Sequence, residues 1–274
     1  MKAKGGYDRR DLVACYDALG VAAHETVYLT GNLGRLGGLV ADDGTRITEK
    51  PQIVDTHISV LQDLMGPRGT IVSPTHSWSL VRSQTPFDAD TTPSDYVFGE
   101  ILRLHSESVR QCHPFASVAA LGARGREIIR PGLHRHAYGV ASPFECMGQL
   151  NALHISLGLE ARQSISAVHH CEVMAQVPYR FTKSFEVYIR QRGHVRAEEV
   201  FLNVTYLTEP PLERDRNETI CALPGIAPHV RTEPLGRGRV QSLPLGVFIQ
   251  ETTHQMLHNP YLWLRSVTQV RPWA

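Results

Sequence analysis

A histidine and a glutamate three residues apart, His169 and Glu172, are the side chains of this chain best suited by type and spacing to catalysis. They lie in residues 167–180, which read as a short helix that Pro178 ends. Residues three apart share one helical face. With Ser166 as the N-cap, His169 falls in the first turn, where the helix dipole disfavours the imidazolium form. Because a neutral imidazole accepts a proton near pH 7, the pattern predicts a general base.

The same segment permits two other kinds of chemistry. His169, His170, Cys171 and Glu172 are all metal-ligand types. Adjacent helical residues point about 100° apart, however, so the two histidines are poorly placed to share one ion. The chain has neither a His-Glu-x-x-His motif nor a Cys-x-x-Cys pair, and we expect no metal. A metal-dependent hydrolase remains an alternative, as does nucleophilic catalysis by Cys171, which as the direct neighbour of His170 does not face it.

Composition and charge predict one globular domain over residues 1–274. Hydrophobic residues make up 42% and charged residues 20% of the chain, as in packed proteins. The formal net charge is +1, so no overall field attracts nucleic acid or a membrane. The first residues lack the apolar core of an export signal, and the 5 cysteines are widely spaced. We therefore expect a cytoplasmic protein with free thiols and no nucleic-acid or membrane partner, and we also consider a homodimer.

The first third of the chain contains the elements that would position a ligand. Residues 8–19 form an amphipathic pattern with Leu12, Val13, Tyr16 and Leu19 on one face. A strand pattern at 25–30, a helix pattern at 50–65 and a strand pattern at 70–73 together predict a βαβ unit with parallel strands. The glycine-rich residues 31–38 and the residues 74–77 each follow one of these strands. Ligands gather at the carboxyl ends of parallel strands, so both loops are predicted to line one rim.

The second half of the chain has a different pattern. Residues 185–190 and 195–207 read as the two strands of an antiparallel hairpin around a turn at 192–194. Residues 210–224 read as a loop, residues 240–249 are apolar, and residues 250–264 read as a closing helix interrupted near Pro260. The expected fold is a single α/β domain whose mixed, partly parallel sheet is flanked by helices, with an antiparallel hairpin added.

Several separate segments occur in the order found in one known family. They are residues 33–37 (LGRLG), 66–77 (GPRGTIVSPTHS), 92–94 with Glu100, 110–119 (RQCHPFASVA), 139–143 (GVASP), 167–172 (AVHHCE) and, more weakly, 236–240. On these segments the chain resembles the aminoglycoside 3-N-acetyltransferases, the antibiotic N-acetyltransferase family, over about residues 10–265.

The resemblance implies transfer of an acetyl or other short acyl group from acyl-CoA to a primary amine. It makes His169 the base that deprotonates the amine, since an ammonium is not nucleophilic. Glu198 lies near the position of an acidic family residue expected to orient the histidine, and Glu172 is expected to position the substrate or a loop. The residues expected to bind acyl-CoA are Thr30, Gly31, Asn32, Leu33, Gly37, Ser73, Pro74, Thr75, Ser117 and Val118. The residues expected to contact the amine substrate are His76, Asp95, Glu100 and His170.

The chain also departs from the family pattern. Thr30-Gly31-Asn32 replaces a His-Ser-Ser-like segment, and His170 replaces a small residue. Residues 82–95 contain only three acidic side chains, few for a polycationic drug. We therefore expect a singly charged amine, such as an amino sugar from a biosynthetic pathway, with the basic residues Arg124, Arg126, Arg135 and Arg180 available for a phosphate. The alternatives are an aminoglycoside-resistance acetyltransferase and a non-catalytic CoA-binding protein.

Overall fold

The computed structural model describes residues 5–207 and 211–266. The strands in this part of the chain are β1 (Thr26–Gly31), β2 (Leu39–Val40), β3 (Arg46–Ile47), β4 (Thr70–Pro74), β5 (Val109–Arg110), β6 (Val118–Gly122), β7 (Leu153–Leu157), β8 (Arg180–Gln191), β9 (His194–Thr205), β10 (Arg231–Leu235) and β11 (Gly238–Pro244). The α-helices are α1 (Arg9–Ala18), α2 (Lys50–Met65), α3 (Val97–Arg103), α4 (Gly125–Ile128), α5 (Pro143–Gln149), α6 (Ala161–Ser164), α7 (Val168–Met174), α8 (Glu218–Cys221) and α9 (Leu245–His258). Short 3₁₀ turns lie at Val21–Ala23, Leu33–Arg35, Gly66–Arg68, Trp78–Arg82 and Ala227–His229.

The centre of the molecule is a seven-stranded mixed sheet in the order β10-β11-β7-β1-β4-β6-β5. β1 runs parallel to β4 on one side and to β7 on the other, with Val27 opposite both Ile71 and Leu153. β6 and β11 flank this parallel trio as antiparallel neighbours. The βαβ unit β1-α2-β4 therefore has the parallel pairing predicted from the sequence, and the loops after β1 and β4 leave the same edge of the sheet.

Alternate residues of the central strands enter separate cores on the two faces of the sheet. Val27 and Leu29 belong to the core that contains residues of α1 and α2. Tyr28 belongs to the core that contains Phe144 of α5 and Phe248 of α9. Because successive strand side chains point to opposite faces, β1 is covered by helices on both sides. The predicted single α/β domain with a mixed sheet between helices is confirmed.

The predicted hairpin is present and longer than expected. β8 and β9 are 12 residues each and pair antiparallel. A small core of Val187, Ile189, Val200, Phe87 and Phe115 packs the hairpin against the main body. No helix among the described residues is long and apolar enough to cross a bilayer.

Three details of the sequence prediction were wrong. Val13 of α1 is exposed, and Cys15 is buried on that helix instead. The last helix starts at Leu245, because the apolar run of residues 240–249 is divided between β11 and α9. Periodicity cannot divide a continuous apolar run between a strand and a helix. The predicted loop 210–224 contains α8, and its first residue lies outside the described residues.

Candidate active site

The imidazole of His169 is held by a buried carboxylate on its own helix. Nδ1 of His169 lies 2.8 Å from Oε2 of Glu172, and the Glu172 side chain is fully buried. The other carboxylate oxygen accepts hydrogen bonds from the Tyr179 hydroxyl at 2.9 Å and from Nε of Arg180 at 2.6 Å. With its proton on Nδ1 facing Glu172, the imidazole keeps Nε2 as a proton acceptor, and Nε2 has no hydrogen-bond partner among the described residues.

Glu172 is suited to orienting the histidine because it stays ionised. Burial by itself would raise the pKa of Glu172, but the hydrogen bond and charge of His169 together with Arg180 outweigh burial and lower it. Arg180 is itself nearly buried. The ionised Glu172 carboxylate is therefore a fixed hydrogen-bond acceptor beside Nδ1 of His169.

Local structure around His169 differs from the prediction at one point. α7 begins at Val168, so His169 is in the first turn as expected, but Ser166 does not cap the helix with its side chain. Its hydroxyl lies 2.7 Å from the Tyr28 hydroxyl, and its carbonyl accepts from the His169 N–H. The ring of His169 contacts Tyr138 and Trp263, at 5.5 and 5.4 Å between centroids.

A first cavity, of about 480 Å³, lies at the loops after β1 and β4. We call it the glycine-loop cavity. It contains seven of the ten residues predicted to bind acyl-CoA, namely Thr30, Gly31, Asn32, Leu33, Gly37, Ser73 and Pro74. Lys50 is a cation on its wall, and most of its remaining surface is apolar.

Two glycines of this cavity are required by backbone geometry. Gly31 has φ +118°, and a Cβ there would lie 2.2 Å from the carbonyl oxygen of Leu157. Gly37 has φ +101°, and a Cβ would lie 2.1 Å from the carbonyl oxygen of Gly5. No other residue type fits without moving backbone, so the loop retains the shallow wall that an extended ligand needs.

A second cavity, of about 600 Å³, is lined by His169, and we call it the histidine cavity. It shares Thr30, Gly31, Pro74 and Tyr96 with the glycine-loop cavity. These four residues border both cavities, and we call them the neck.

His76, predicted to bind the amine, lines the histidine cavity. Its ring is buried, and neither nitrogen has a hydrogen-bond partner among the described residues. Burial, with smaller electrostatic contributions from the nearby His169, His113 and Arg110, lowers the pKa of His76 to about 3. The ring is therefore neutral near pH 7 and offers both a donor and an acceptor to a ligand.

Residues 42–256 match the protein-family model described as Aminoglycoside 3-N-acetyltransferase. The chain belongs to this family. It is 34% identical over 126 residues to aminoglycoside N(3)-acetyltransferase IV of Salmonella sp, a match covering 44% of this chain and 46% of that protein. It is 25% identical over 267 residues to aminoglycoside N(3)-acetyltransferase VIII of Streptomyces fradiae, covering 90% and 89%. The predicted class, an acyl-CoA-dependent N-acetyltransferase, is confirmed.

A solved structure shares the fold. The structure described as AAC-IIIb binary with CoASH superposes with a TM-score of 0.75 at 20% identity, covering 96% of this chain and 100% of that one. At this identity the similarity demonstrates the shared architecture of the acetyltransferase family.

Three residues predicted to contact acyl-CoA lie behind the walls of the glycine-loop cavity. Thr75, Ser117 and Val118 are fully buried. Thr75 Oγ1 is 3.0 Å from Ser117 Oγ, and Nε of Arg110 donates to both at 3.1 Å. These residues support the loop after β4 from beneath. The supporting role of Arg110 was not predicted from the sequence, although this arginine begins the motif of residues 110–119.

Two residues predicted to contact the substrate have carboxylates that are already bonded to nearby protein groups. Asp95 lies on the wall of the glycine-loop cavity, where its carboxylate accepts the Trp78 N–H at 2.7 Å. Glu100 lines neither cavity and forms a bidentate pair with Arg103. Neither carboxylate faces the histidine cavity, so neither is placed to meet an ammonium there.

His170 and Glu198 also lie apart from the His169 imidazole. His170 is buried on another face of α7, where Nδ1 accepts the Gly139 N–H at 3.2 Å. Burial lowers its pKa to about 4, so it is neutral near pH 7 and does not repel cations. Glu198, on β9, forms ion pairs with Arg135 and Arg196. Glu172 occupies the position beside Nδ1 that was expected for Glu198.

The four arginines that the sequence suggested for a phosphate do not line the histidine cavity. Arg124, Arg135 and Arg180 each pair with a carboxylate outside this cavity, and Arg126 lies on a distant surface near Gly69. The arginines that line the cavity are Arg162, Arg214 and Arg216. They come from α6 and from a segment read as loop, and no local pattern indicated that these would meet.

The two alternative chemistries have no geometric support. Cys171 is fully buried, and burial raises the pKa of its thiol to about 12, so it is not a thiolate near pH 7. Within residues 5–207 and 211–266, no three His, Cys, Asp or Glu side chains are grouped as a metal site requires.

Proposed function

We propose that the protein transfers an acetyl group from acetyl-CoA to a primary amine of an aminoglycoside, with His169 as the general base. The observation that carries the proposal is the His169–Glu172 pair at a cavity that meets a second, glycine-walled cavity at a common neck. The base thus lines a cavity that borders the neck, where a thioester from one cavity and an amine from the other can meet.

The chemistry follows from the fixed tautomer of His169. The amine nitrogen bonds to the thioester carbonyl carbon and the carbon–sulfur bond breaks. Nε2 of His169 takes the proton that the nitrogen loses and returns it to the departing sulfur, so the products are an amide and the free thiol of CoA. Glu172 holds the ring in place and stabilises its protonated form through the 2.8 Å contact at Nδ1.

Acetyl-CoA is assigned to the glycine-loop cavity. Gly31 and Gly37 leave room there for an extended chain to lie on the backbone. Leu33, Ile53 and Phe98 supply apolar walls, and Lys50 is available to a phosphate. The thioester end would then reach the neck beside the histidine cavity.

The names of the relatives favour an aminoglycoside over the biosynthetic amine that the sequence suggested. Both curated relatives are named as aminoglycoside N(3)-acetyltransferases. The charge of the histidine cavity supports a second candidate. Its lining contains three arginines and no Asp or Glu among the described residues, so an amino sugar with few ammonium groups is the other acceptor to test.

The test is a thiol-release assay with acetyl-CoA and purified protein. The acceptors are gentamicin, sisomicin and kanamycin, compared with glucosamine and other free amino sugars. The proposal expects acetylation of at least one drug with a kcat/KM at or above that of every amino sugar. Turnover of amino sugars alone would replace the main proposal by the second candidate, and absence of thiol release with every amine would reject both.

A further inference from the structure

The lining of the histidine cavity carries an excess of positive charge. Arg214 and Arg216 line it, and neither makes an ion pair with any residue in the described ranges. Arg162 is the third cation, and it pairs with Glu160. Two exposed guanidinium groups in the wall of one cavity are a site for an oxyanion rather than for an ammonium.

The nearby carboxylates do not neutralise these two arginines. Asp215, between them in sequence, is buried, and its Oδ2 accepts the Thr219 N–H at 3.0 Å. Glu213 and Glu218 line an adjacent surface cavity that Arg214 and Arg216 also border, but neither carboxylate forms an ion pair with these two arginines. Glu218 lies 3.8 Å from Arg162 and 3.9 Å from Arg265. The charge that faces the histidine cavity is therefore that of the arginines.

A buried donor in the same wall independently indicates an oxygen-rich ligand. Trp263 is 5% exposed, and its Nε1–H has no hydrogen-bond partner among the described residues. An indole nitrogen can only donate, and a buried donor left unpaired costs free energy that a ligand oxygen would recover. Trp263 lines the histidine cavity together with Arg214 and Arg216.

Trp263 also contacts both the base and one of the two arginines. Its ring contacts His169 at 5.4 Å between centroids, and the guanidinium carbon of Arg214 lies 5.4 Å from its ring centroid. The base and the arginine therefore lie against the same indole ring, so that one small substrate can meet both.

We propose that the acceptor is an amino sugar, free or within an aminoglycoside, that carries a phosphate, and that Arg214 and Arg216 bind this phosphate while His169 takes the proton of the amine. This inference rests on the proposed function and names the substrate class of the same site. It also explains how a cavity without a carboxylate accepts an ammonium: the phosphate of the same molecule supplies the negative charge.

The first measurement is binding to the complex of the protein with CoA, by calorimetry, with glucosamine and glucosamine 6-phosphate as probes. The two differ only in the phosphate. Binding of the phosphorylated sugar should be tighter by about 10-fold or more, the effect of a charge-assisted bidentate contact. Equal affinities would overturn the inference.

The variant Arg214→Gln/Arg216→Gln should remove this preference, so that the two sugars bind with similar affinity. Arg126→Gln is the matched control, since Arg126 is an exposed arginine on a different cavity with no ion pair among the described residues. A preference that survives in the double variant would contradict the assignment. So would a rise in the KM for acetyl-CoA that disappears with dephospho-CoA, because the arginines would then hold a phosphate of CoA.

A second measurement separates this inference from the proposed function. Thiol release is followed with kanamycin, kanamycin 3′-phosphate, glucosamine and glucosamine 6-phosphate. Turnover that ignores the phosphate and the two arginines would retain the N-acetyltransferase and reject the phosphate site. Phosphate-dependent binding without turnover of any amine would retain the site and reject the proposed function.

Discussion

The glycine-loop cavity and the histidine cavity are built in different ways. The first is formed by the ends of β1 and β4, which are neighbours in the sheet, by the glycine-rich loop after β1, and by residues of α2 and of 95–98. The second combines α7 with residues 214–217 and Trp263, which are distant in sequence. A cavity of the first kind depends on backbone shape, and one of the second kind depends on side-chain identity. The first is therefore suited to the co-substrate and the second to acceptor choice.

Replacing the base gives the largest expected effect and separates the two cavities in function. His169→Ala should lower kcat by about 10²- to 10⁴-fold, because the amine loses its general base. The Kd for acetyl-CoA, measured by calorimetry, should stay within a few-fold of wild type, since His169 lines only the histidine cavity.

Glu198→Gln is the control for this variant, because Glu198 pairs with arginines away from the imidazole. Its kcat should remain near that of wild type. A His169→Ala enzyme with nearly normal turnover, or a Glu198→Gln enzyme as slow as it, would reverse the roles assigned to these residues.

Adding a methyl group at Gly31 should instead weaken folding and acetyl-CoA binding. Gly31→Ala places a side chain on a residue with φ +118°, where it is strained, and brings it against the Leu157 carbonyl. The substitution should therefore lower the free energy of unfolding by about 2–5 kcal/mol. The affinity for acetyl-CoA should fall with it. Urea denaturation and calorimetry provide the two measurements.

Gly44→Ala is the matched control, with φ +87° and no atom within 4 Å of the added carbon. It should cost only about 1 kcal/mol, the strain of the backbone alone. Equal destabilisation by the two substitutions would mean that the close approach to Leu157 does not restrict the loop.

Removing the orienting charge should have a smaller effect on rate than removing the base. Glu172→Gln should lower kcat by about 10- to 100-fold, since an amide no longer fixes the tautomer of His169. It should also reduce stability at pH 7 by about 1–3 kcal/mol, because Arg180 loses its buried partner.

The stability difference has a defined pH dependence. The pKa of Glu172 is lowered in the folded state, so its stabilisation is complete above the unfolded pKa and is lost as pH falls through the folded value. Urea denaturation of the wild type and Glu172→Gln should therefore converge in acid below about pH 4. A gap that stays constant as pH falls well below 4 would show that the carboxylate charge is unimportant.

The smallest expected effect concerns His76 in the histidine cavity. Its pKa is lowered to about 3 in the folded protein, whereas the unfolded chain takes up the proton below about pH 6.5. The contribution of neutral His76 to the free energy of unfolding is therefore present above pH 6.5. It declines as pH falls toward 3, by about 1 kcal/mol between pH 7 and 5.5. His76→Gln should remove this part of the pH slope, whereas the exposed His229→Gln should not; identical slopes for all three proteins would contradict the pKa shift.

The sequence predicted the elements of the glycine-loop cavity because each one is local. The 3.6-residue pattern of α2, the short apolar strands β1 and β4, and the glycines after β1 can be read without knowledge of distant residues. The pairing of His169 with Glu172 was equally local, at a spacing of three residues. For this reason, seven of the residues predicted to contact the co-substrate line the glycine-loop cavity.

The remainder of the site depended on contacts that no spacing reveals. Arg214 forms a bridge with Leu264, and Asp215 donates its N–H to the Trp263 carbonyl, which brings two distant segments to His169. Glu198 was misjudged because a strand pattern does not show which arginine lies across from it. Thr75, Ser117 and Val118 were expected on the surface of the cavity, and the sheet register places them inside.

The shared neck has a consequence for the kinetic order of the reaction. Thr30, Gly31, Pro74 and Tyr96 border both cavities, and Cys171 is too deeply buried to carry an acyl group between them. Under the proposed function, we therefore expect the acetyl group to pass directly from one bound molecule to the other while both occupy the protein. Double-reciprocal plots should intersect rather than run parallel, as for a ternary-complex enzyme, and the free protein should never retain radiolabel from acetyl-CoA alone.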